Sequence, residues 1–497
     1  MREFIDVFVL CYFIGLNGFY GLLIFFSVLE IARRKAAQMP ELDASVLAQA
    51  STPPISVLAP AYNEAETIVD SVRAFLQLEY PQHQVIVIND GSTDSTLEKL
   101  QAEFDLEPVD LIIRREIETK PVRGVYQSRK DARLYVVDKE NGGKADALNV
   151  GINTSRYPLI CCADADTIVT PKALLRMVEP YLYDPQGVVA VGGTVRLANG
   201  CKFNHGVLQE VGVPDSWLAR FQIVEYLRGF LFGRMGLNRI GGNLIISGAF
   251  GLFSRETVVE VGGYAADSVG EDMELVVKLQ RHVQQENPPR QVIHISDPIA
   301  YTEAPEEMEL LSNQRDRWHR GMADTMWRHK GMFLNPKFGP VGTFVFPAYL
   351  MFELFGPVIE LFGYFWFVAG ISFGFVDVKF ALLFLIVAFW LGALMSIQTL
   401  VIDNWGFNLF KGSKSRLKLL AAALLENLGY RQATLWFRIR GLMKFMVGEK
   451  SWGKMTRKGF ERHSEPAGEL DEDLGEALDA DAEREPVLRA ASGAEGE

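Results

Sequence analysis

Apolar residues fall along the chain in two manners: as uninterrupted runs near both ends, and as short blocks interleaved with polar positions in the long middle. Between Asp6 and Glu30 no charge occurs, and Phe, Leu, Val, Ile and Tyr dominate. A helix of roughly 20 apolar residues crosses the hydrocarbon core of a bilayer, so residues 1–35 are predicted to hold a transmembrane helix. Arg33, Arg34 and Lys35 follow at once, and such a basic flank marks the cytoplasmic side. A cleaved signal peptide, the rival reading, would carry its basic cluster before the apolar run and not after it. Later, Val341 to Val376 is apolar apart from Glu353 and Glu360, and Phe380 to Ile402 has no charge. Residues 341–402 are therefore expected to form two further spanning helices, the first bent at Pro357. Two crossings bring the chain back to the cytoplasm.

In residues 51–330 the pattern is that of a soluble α/β domain. Ile55 to Ala59 and Val85 to Asn89 are short β-branched runs, as buried parallel strands are. Glu64 to Leu78 has helical character between them, which makes a βαβ unit. A helix over Lys144 to Ile152 and a third strand, Leu159 to Ala163, follow. Ligands of open α/β sheets bind at the carboxyl ends of the strands. Here those ends carry Tyr62-Asn63-Glu64, Asp90 and Asp164-Ala165-Asp166, so three polar clusters are predicted to share one edge.

Charge changes the picture only at the C-terminal end. The net charge of −12 reflects the segment 461–497, rich in Ala, Gly, Asp and Glu and without aromatic residues, which cannot bury enough apolar surface to order itself. The preceding segment, 403–460, is basic and mixes Leu, Trp436, Phe437 and Phe445 with Arg and Lys, as interfacial helices do. Neither composition points to nucleic acid. The four cysteines form neither a disulfide framework nor a zinc site, in keeping with a reducing compartment.

Asp164-Ala165-Asp166 can hold Mg²⁺ or Mn²⁺ together with a diphosphate, where the ion would offset charge on a departing nucleotide. Alone the triplet reads equally as a solvated turn capping a helix that starts at Thr170-Pro171. The wider set decides between these: Pro60-Ala61-Tyr62-Asn63-Glu64, Ile88-Asn89-Asp90-Gly91-Ser92, Asn141-Gly142-Gly143-Lys144-Ala145, Gly270-Glu271-Asp272 and Gln314-Arg315-Asp316-Arg317-Trp318. In this order it resembles the family 2 glycosyltransferases of GT-A (Rossmann-like) fold, and among them the processive membrane synthases of cellulose, hyaluronan, chitin and poly-N-acetylglucosamine.

The resemblance implies an inverting, processive enzyme of the inner membrane with its GT-A domain in the cytoplasm. It implies a UDP-sugar donor, with UDP-N-acetylglucosamine the first choice, and a growing β-linked polysaccharide as acceptor. Asp90 would bind the uracil or ribose, Tyr62 and Glu64 would line the nucleotide pocket, and Lys144 would lie near the phosphates. Asp164 would contact the diphosphate, and Asp166 would ligate the metal. Asp272 would be the general base, since a single displacement with inversion needs one carboxylate on the acceptor side. Glu271 would orient the acceptor. In the Gln-x-x-Arg-Trp signature, Gln314 would bind substrate, Arg317 would stabilise the departing diphosphate and Trp318 would stack on the acceptor sugar. Alternatives are a transferase adding one sugar to a lipid carrier and a non-catalytic envelope scaffold.

Two features depart from the family pattern. Cellulose synthases usually have Thr where Gly270 stands. A basic insertion, Arg114 to Lys139, offers Arg123, Arg129 and Arg133 to phosphates or lipid headgroups. Glu353 and Glu360, two helical turns apart, would border a polymer path or touch the enzyme domain. The few spanning helices suggest a partner subunit or a homo-oligomer besides the surrounding membrane lipids.

Overall fold

The structure, a computed structural model, describes residues 2–36, 52–165, 167–204, 207–286 and 289–449. Asp166 and the acidic segment 461–497 lie outside the described residues.

Strands β1 (Ile55–Ala61) and β2 (His83–Asn89) come first, followed by β3 (Leu106–Pro108), β4 (Val122–Ser128) and β5 (Leu134–Lys139). Then come β6 (Leu159–Ala163), β7 (Ile168–Val169) and β8 (Val188–Leu197), the small pair β9 (Lys202–Asn204) and β10 (Val207–Glu210), and finally β11 (Phe250–Ser254) and β12 (Gln291–Thr302). Ten of them form one mixed sheet in the order β3-β4-β5-β2-β1-β6-β11-β8-β12-β7. Its centre is parallel: β5, β2, β1 and β6 all run the same way. The run-like sequences of these strands follow from burial on both faces. Val57, Val85 and Val87 pack into one hydrophobic cluster, whereas Leu58, Ile86 and Ile88 pack into the other.

Several expectations change. The helix after β1 spans only Ile68–Leu76, because residues 63–67 are drawn into a turn that bonds to the loop after β2. Pro171 does not start a helix: β7 precedes it and the helix begins at Ala173. The basic insertion builds the antiparallel pair β4–β5, where exposed Arg129 pairs with Glu107 (2.8 Å), Arg133 with Asp131 (2.7 Å) and Arg123 with Asp138 (3.9 Å).

Two helices, Glu3–Arg33 and Ala381–Gly406, are long and apolar enough to cross a membrane, and a third span arises if the bent pair Val341–Leu354 and Gly356–Ser372 counts as one. The bend, 47°, falls directly before Pro357, whose ring cannot continue the preceding ladder. Glu353 and Glu360 thus lie on opposite sides of a break. Glu353 accepts from Tyr20 and, at 3.2 Å, from Arg438, whereas Glu360 accepts from Tyr364 at 2.6 Å.

The basic helix Tyr430–Met446 packs along the helix Met308–Arg328. Buried Asp316 receives Arg440 (3.0 Å) and Lys444 (2.9 Å). Gly441 lets the two backbones meet, since a Cβ there would stand 2.5 Å from the Asp316 carbonyl oxygen. Part of the positive charge expected at a lipid surface is therefore used inside the protein.

Candidate active site at the carboxyl edge of the sheet

The parallel centre brings the ends of β1, β2, β5 and β6 to one edge, and each end is followed by a polar turn. After β1, Asn63 adopts φ 56°, a left-handed conformation that Asn tolerates. Its side chain accepts from the Thr93 amide at 2.8 Å, and its own amide donates to Ser92 Oγ at 3.0 Å. Asp94 accepts from the Ala65 amide (3.2 Å) and the Thr96 amide (3.0 Å). The first two loops are thus stitched together, with Tyr62 half-exposed on the rim. Glu64, half-buried, accepts from Thr67 Oγ1 at 3.2 Å and donates its amide to Thr96.

Asp90 turns inward. Its carboxylate accepts from the amides of Gly142 (3.0 Å) and Gly143 (2.8 Å) and from Lys139 Nζ (2.5 Å). Lys139 is completely buried and shared with Asp146 at 2.7 Å. The carboxylate expected at the uracil or ribose is therefore engaged within the protein, where it shapes the Gly-Gly-Lys turn. Gly91 (φ 68°) permits this close approach, because a Cβ would lie 2.9 Å from the Asn141 nitrogen.

Next to this turn lies a small cleft lined by Lys144, Asp164, Gly248, Tyr264, Glu271 and Asp272, among others. Lys144, at the first turn of the helix Lys144–Thr154, pairs with Asp164 at 2.5 Å and lies 3.6 Å from Glu271. Burial disfavours its charge, but Asp164 and Glu271 outweigh that and raise the ammonium above the usual lysine range.

Antiparallel β11 supplies the opposite wall. Phe250 pairs with Ala163, which places Gly248 at the same edge. A Cβ on Gly248 would lie 3.0 Å from Lys144 Nζ and 3.6 Å from Asp272 Oδ2, so the glycine lets cation and carboxylate converge. The Gly248 amide donates to Asp272 at 3.3 Å, and the Met273 amide donates at 2.8 Å. Asp272 and Glu271 open the helix Glu271–Val283, where the free amides favour negative charge. Burial, with Asp272 adding to it, raises the Glu271 carboxyl above its ordinary value while Lys144 pulls it down.

The helix Met308–Arg328 closes the site. Arg317, half-buried, exerts its charge on Glu271. Gln314, buried, accepts from Arg315 at 2.8 Å. Arg315 also pairs with Glu225 at 2.8 Å and lies 4.3 Å from the Trp318 ring centroid. It thus fixes Trp318, which remains 44% exposed and presents a free face.

The chain matches the family described as Glycosyl transferase family 2 over residues 56–258 and Glycosyl transferase family group 2 over residues 159–401. The two spans together include every strand end and helix of the cleft. The chain belongs to the family 2 glycosyltransferases.

Among relatives of this glycosyltransferase is the poly-beta-1,6-N-acetyl-D-glucosamine synthase of Staphylococcus aureus (strain COL), 31% identical over 303 residues, 60% of each chain. The synthase of the same name from Staphylococcus epidermidis is 30% identical over 275 residues, 55% of this chain and 56% of that one. The match thus spans about three fifths of these relatives' length. A solved mannosyltransferase, PcManGT from Pyrobaculum calidifontis in complex with GDP-Man and Mn²⁺, aligns over 90% of this chain and 99% of its own with a TM-score of 0.50 and 17% identity. It shares the fold, and the mixed sheet of this family 2 glycosyltransferase is a GT-A fold.

Lys139, Asp146, Asn63, Asp94 and Arg315 were not singled out by sequence reasoning. Asn63 and Asp94 carried a signal, since Asn and Asp in strand-end turns commonly bond neighbouring amides. Lys139 carried none, because a lysine between Asp138 and Glu140 reads as a surface charge.

Proposed function

We propose that this chain is an inverting, processive glycosyltransferase that extends a β-linked polysaccharide from a UDP-sugar, UDP-N-acetylglucosamine first, with its catalytic domain on the cytoplasmic face of the membrane. The observation that carries this reading is the cleft itself. A carboxylate, Asp272, stands across from the Lys144–Asp164 pair with Gly248 between them. The names of the staphylococcal relatives support the polymer and its sugar. The basic residues after the first apolar helix support a cytoplasmic domain.

In this mechanism an acceptor hydroxyl oxygen attacks the anomeric carbon as the bond to the diphosphate oxygen breaks. Asp272 takes the hydroxyl proton, and UDP leaves with the bonding electron pair from the opposite face, which inverts the centre. Lys144 and Arg317 place positive charge where the leaving group gathers negative charge. Tyr62 and Glu64 line the nucleotide side, and Asp90 shapes the turn that receives it. Gln314 holds Arg315, which braces Trp318 against the acceptor ring.

Among the described residues no three metal-binding side chains converge. A carboxylate such as that of Asp164 suits Mg²⁺ or Mn²⁺ gripping a diphosphate. Asp164 and Asp166 would hold the ion, which supplies Lewis-acid stabilisation to the diphosphate. The small number of spanning helices favours a partner subunit or a second copy around the polymer path, which the mass of the detergent-solubilised complex would test.

The deciding experiment is UDP release by lipid-reconstituted protein across a panel of UDP-sugars, with the product sized. Release with one sugar and a high-mass polymer is expected. Silence with every donor would overturn the reading.

A further inference from the structure

Among the described residues, the cleft is lined by three carboxylates, Asp164, Glu271 and Asp272, and by one cation, Lys144. Lys144 stands in the first turn of its helix, where the free amides disfavour a positive charge. The carboxylates are what hold it there. Its Nζ lies 2.5 Å from Asp164 and 3.6 Å from Glu271. A Cβ on Gly248 would meet both that Nζ, at 3.0 Å, and Asp272 Oδ2, at 3.6 Å, so Asp272 stands just across the glycine.

The neighbouring lysine is placed differently. Lys139, between Asp90 at 2.5 Å and Asp146 at 2.7 Å, is wholly enclosed, and its charge is a fixed part of the fold. The side chains of Lys144 and Asp164 are 22% and 28% exposed and line the cleft. A lysine ammonium is a point charge on a flexible four-carbon stem, so this open pair can exchange partners where the enclosed one cannot. Its ammonium sits on the very carboxylate that the function above gives to a divalent ion. Two cations on one carboxylate repel each other. A free ion would have to push the ammonium off Asp164 and back against the helix N-terminus. An ion that arrives with a diphosphate brings phosphate oxygens, which a lysine ammonium binds well.

We propose that Lys144 is an internal counter-ion that makes divalent-ion binding depend on the nucleotide: it holds Asp164 against a free ion and passes to the phosphate oxygens when ion and diphosphate arrive together. The inference deepens the glycosyl-transfer reading above and rests on it. The same exchange runs backwards after transfer. As UDP leaves, the ammonium returns to Asp164 and disfavours an ion left behind.

The test measures Mn²⁺ binding to full-length, lipid-reconstituted protein by the electron paramagnetic resonance of the free ion. It is made without nucleotide and with saturating UDP, corrected for ion held by UDP in solution. The wild type is expected to bind Mn²⁺ about tenfold or more tightly with UDP than without it. Lys144→Met is expected to tighten binding of Mn²⁺ alone about tenfold and to leave the affinity with UDP within about threefold of the wild type. A general change of charge would move both alike. Lys144→Arg keeps the charge and is expected to bind Mn²⁺ alone as weakly as the wild type. A folded Lys144→Met with the wild-type affinity for Mn²⁺ alone overturns the inference, as does a Lys144→Arg that tightens it equally. Should Lys144→Met not fold, a wild type that binds Mn²⁺ equally well with and without UDP overturns it instead. A wild type that binds no UDP, nor releases it from any donor, defeats the underlying reading; one that binds UDP, with Mn²⁺ affinity unaltered in Lys144→Met, defeats this inference alone.

Discussion

Glu271 and Asp272 are adjacent in sequence yet face different surroundings, because successive helical residues point about 100° apart. Glu271 is buried against Lys144, whereas Asp272 is held by the amides of Gly248 and Met273 and looks across the cleft. If Asp272 is the base, Asp272→Asn is expected to lower kcat by about 10²–10⁴-fold with little change in donor KM; steady-state kinetics with wild-type turnover would sink the assignment. Glu271 yields a pH prediction. The folded protein holds its carboxyl above the ordinary value of 4.5, so the folded state binds this proton more tightly than the unfolded chain does. The associated stability is complete below that value and is lost as pH rises through the raised one. Glu271→Gln is therefore expected to flatten the decline of melting temperature above pH 4.5, and an unchanged slope in detergent melts would refute this.

At the scale of elements, the helix that carries Asp272 and the helix bearing Trp318 meet at a pair of glycines. A Cβ on Gly270 would lie 2.9 Å from Gly321 Cα, and one on Gly321 would lie 2.8 Å from Gly270 Cα. The threonine that cellulose synthases carry in this motif has no room here, which gives the Gly-Glu-Asp departure a packing reason. Gly321→Ala is expected to destabilise the protein by about 1–3 kcal/mol through overpacking and to lower turnover by sliding Trp318 away from Asp272. A melt and a turnover assay check both, and a neutral result would mean that the helices separate easily. The parallel centre was legible because β1, β2 and β6 are unbroken apolar runs with polar ends. The rest of the sheet was harder: Gly192 and Gly193 interrupt β8, and β4–β5 are built from a basic segment in which Arg123 meets Asp138 only once the strands pair. The Asp90–Lys139 pair joins residues 49 apart, and no local spacing announces it.

Across the whole molecule, the apolar helices and the enzyme domain are joined at the bent pair Val341–Leu354 and Gly356–Ser372. His319 donates to the Leu354 carbonyl at 3.1 Å, and Arg438 donates to the carbonyl and carboxylate of Glu353. These carbonyls are orphaned where the helix stops. Burial, with Arg438 adding to it, lowers the His319 pKa to about 3, so the ring is a neutral donor. The proposed orientation places exposed Phe373 outside and exposed Ile112 inside. In a Cys11→Ala background, a membrane-impermeant thiol reagent is expected to label Phe373→Cys and not Ile112→Cys in intact cells, and the reverse pattern would invert the topology. The residue next to His319 is Trp318, so the break between the bent helices is fastened to the helix that presents the proposed acceptor platform. A bilayer thicker or thinner than the apolar length tilts or kinks its helices, and here that displacement is transmitted to the platform. Under the proposed function, lipid chain length becomes a variable of polymer output, which turnover in vesicles of graded acyl length would reveal as an optimum instead of a plateau.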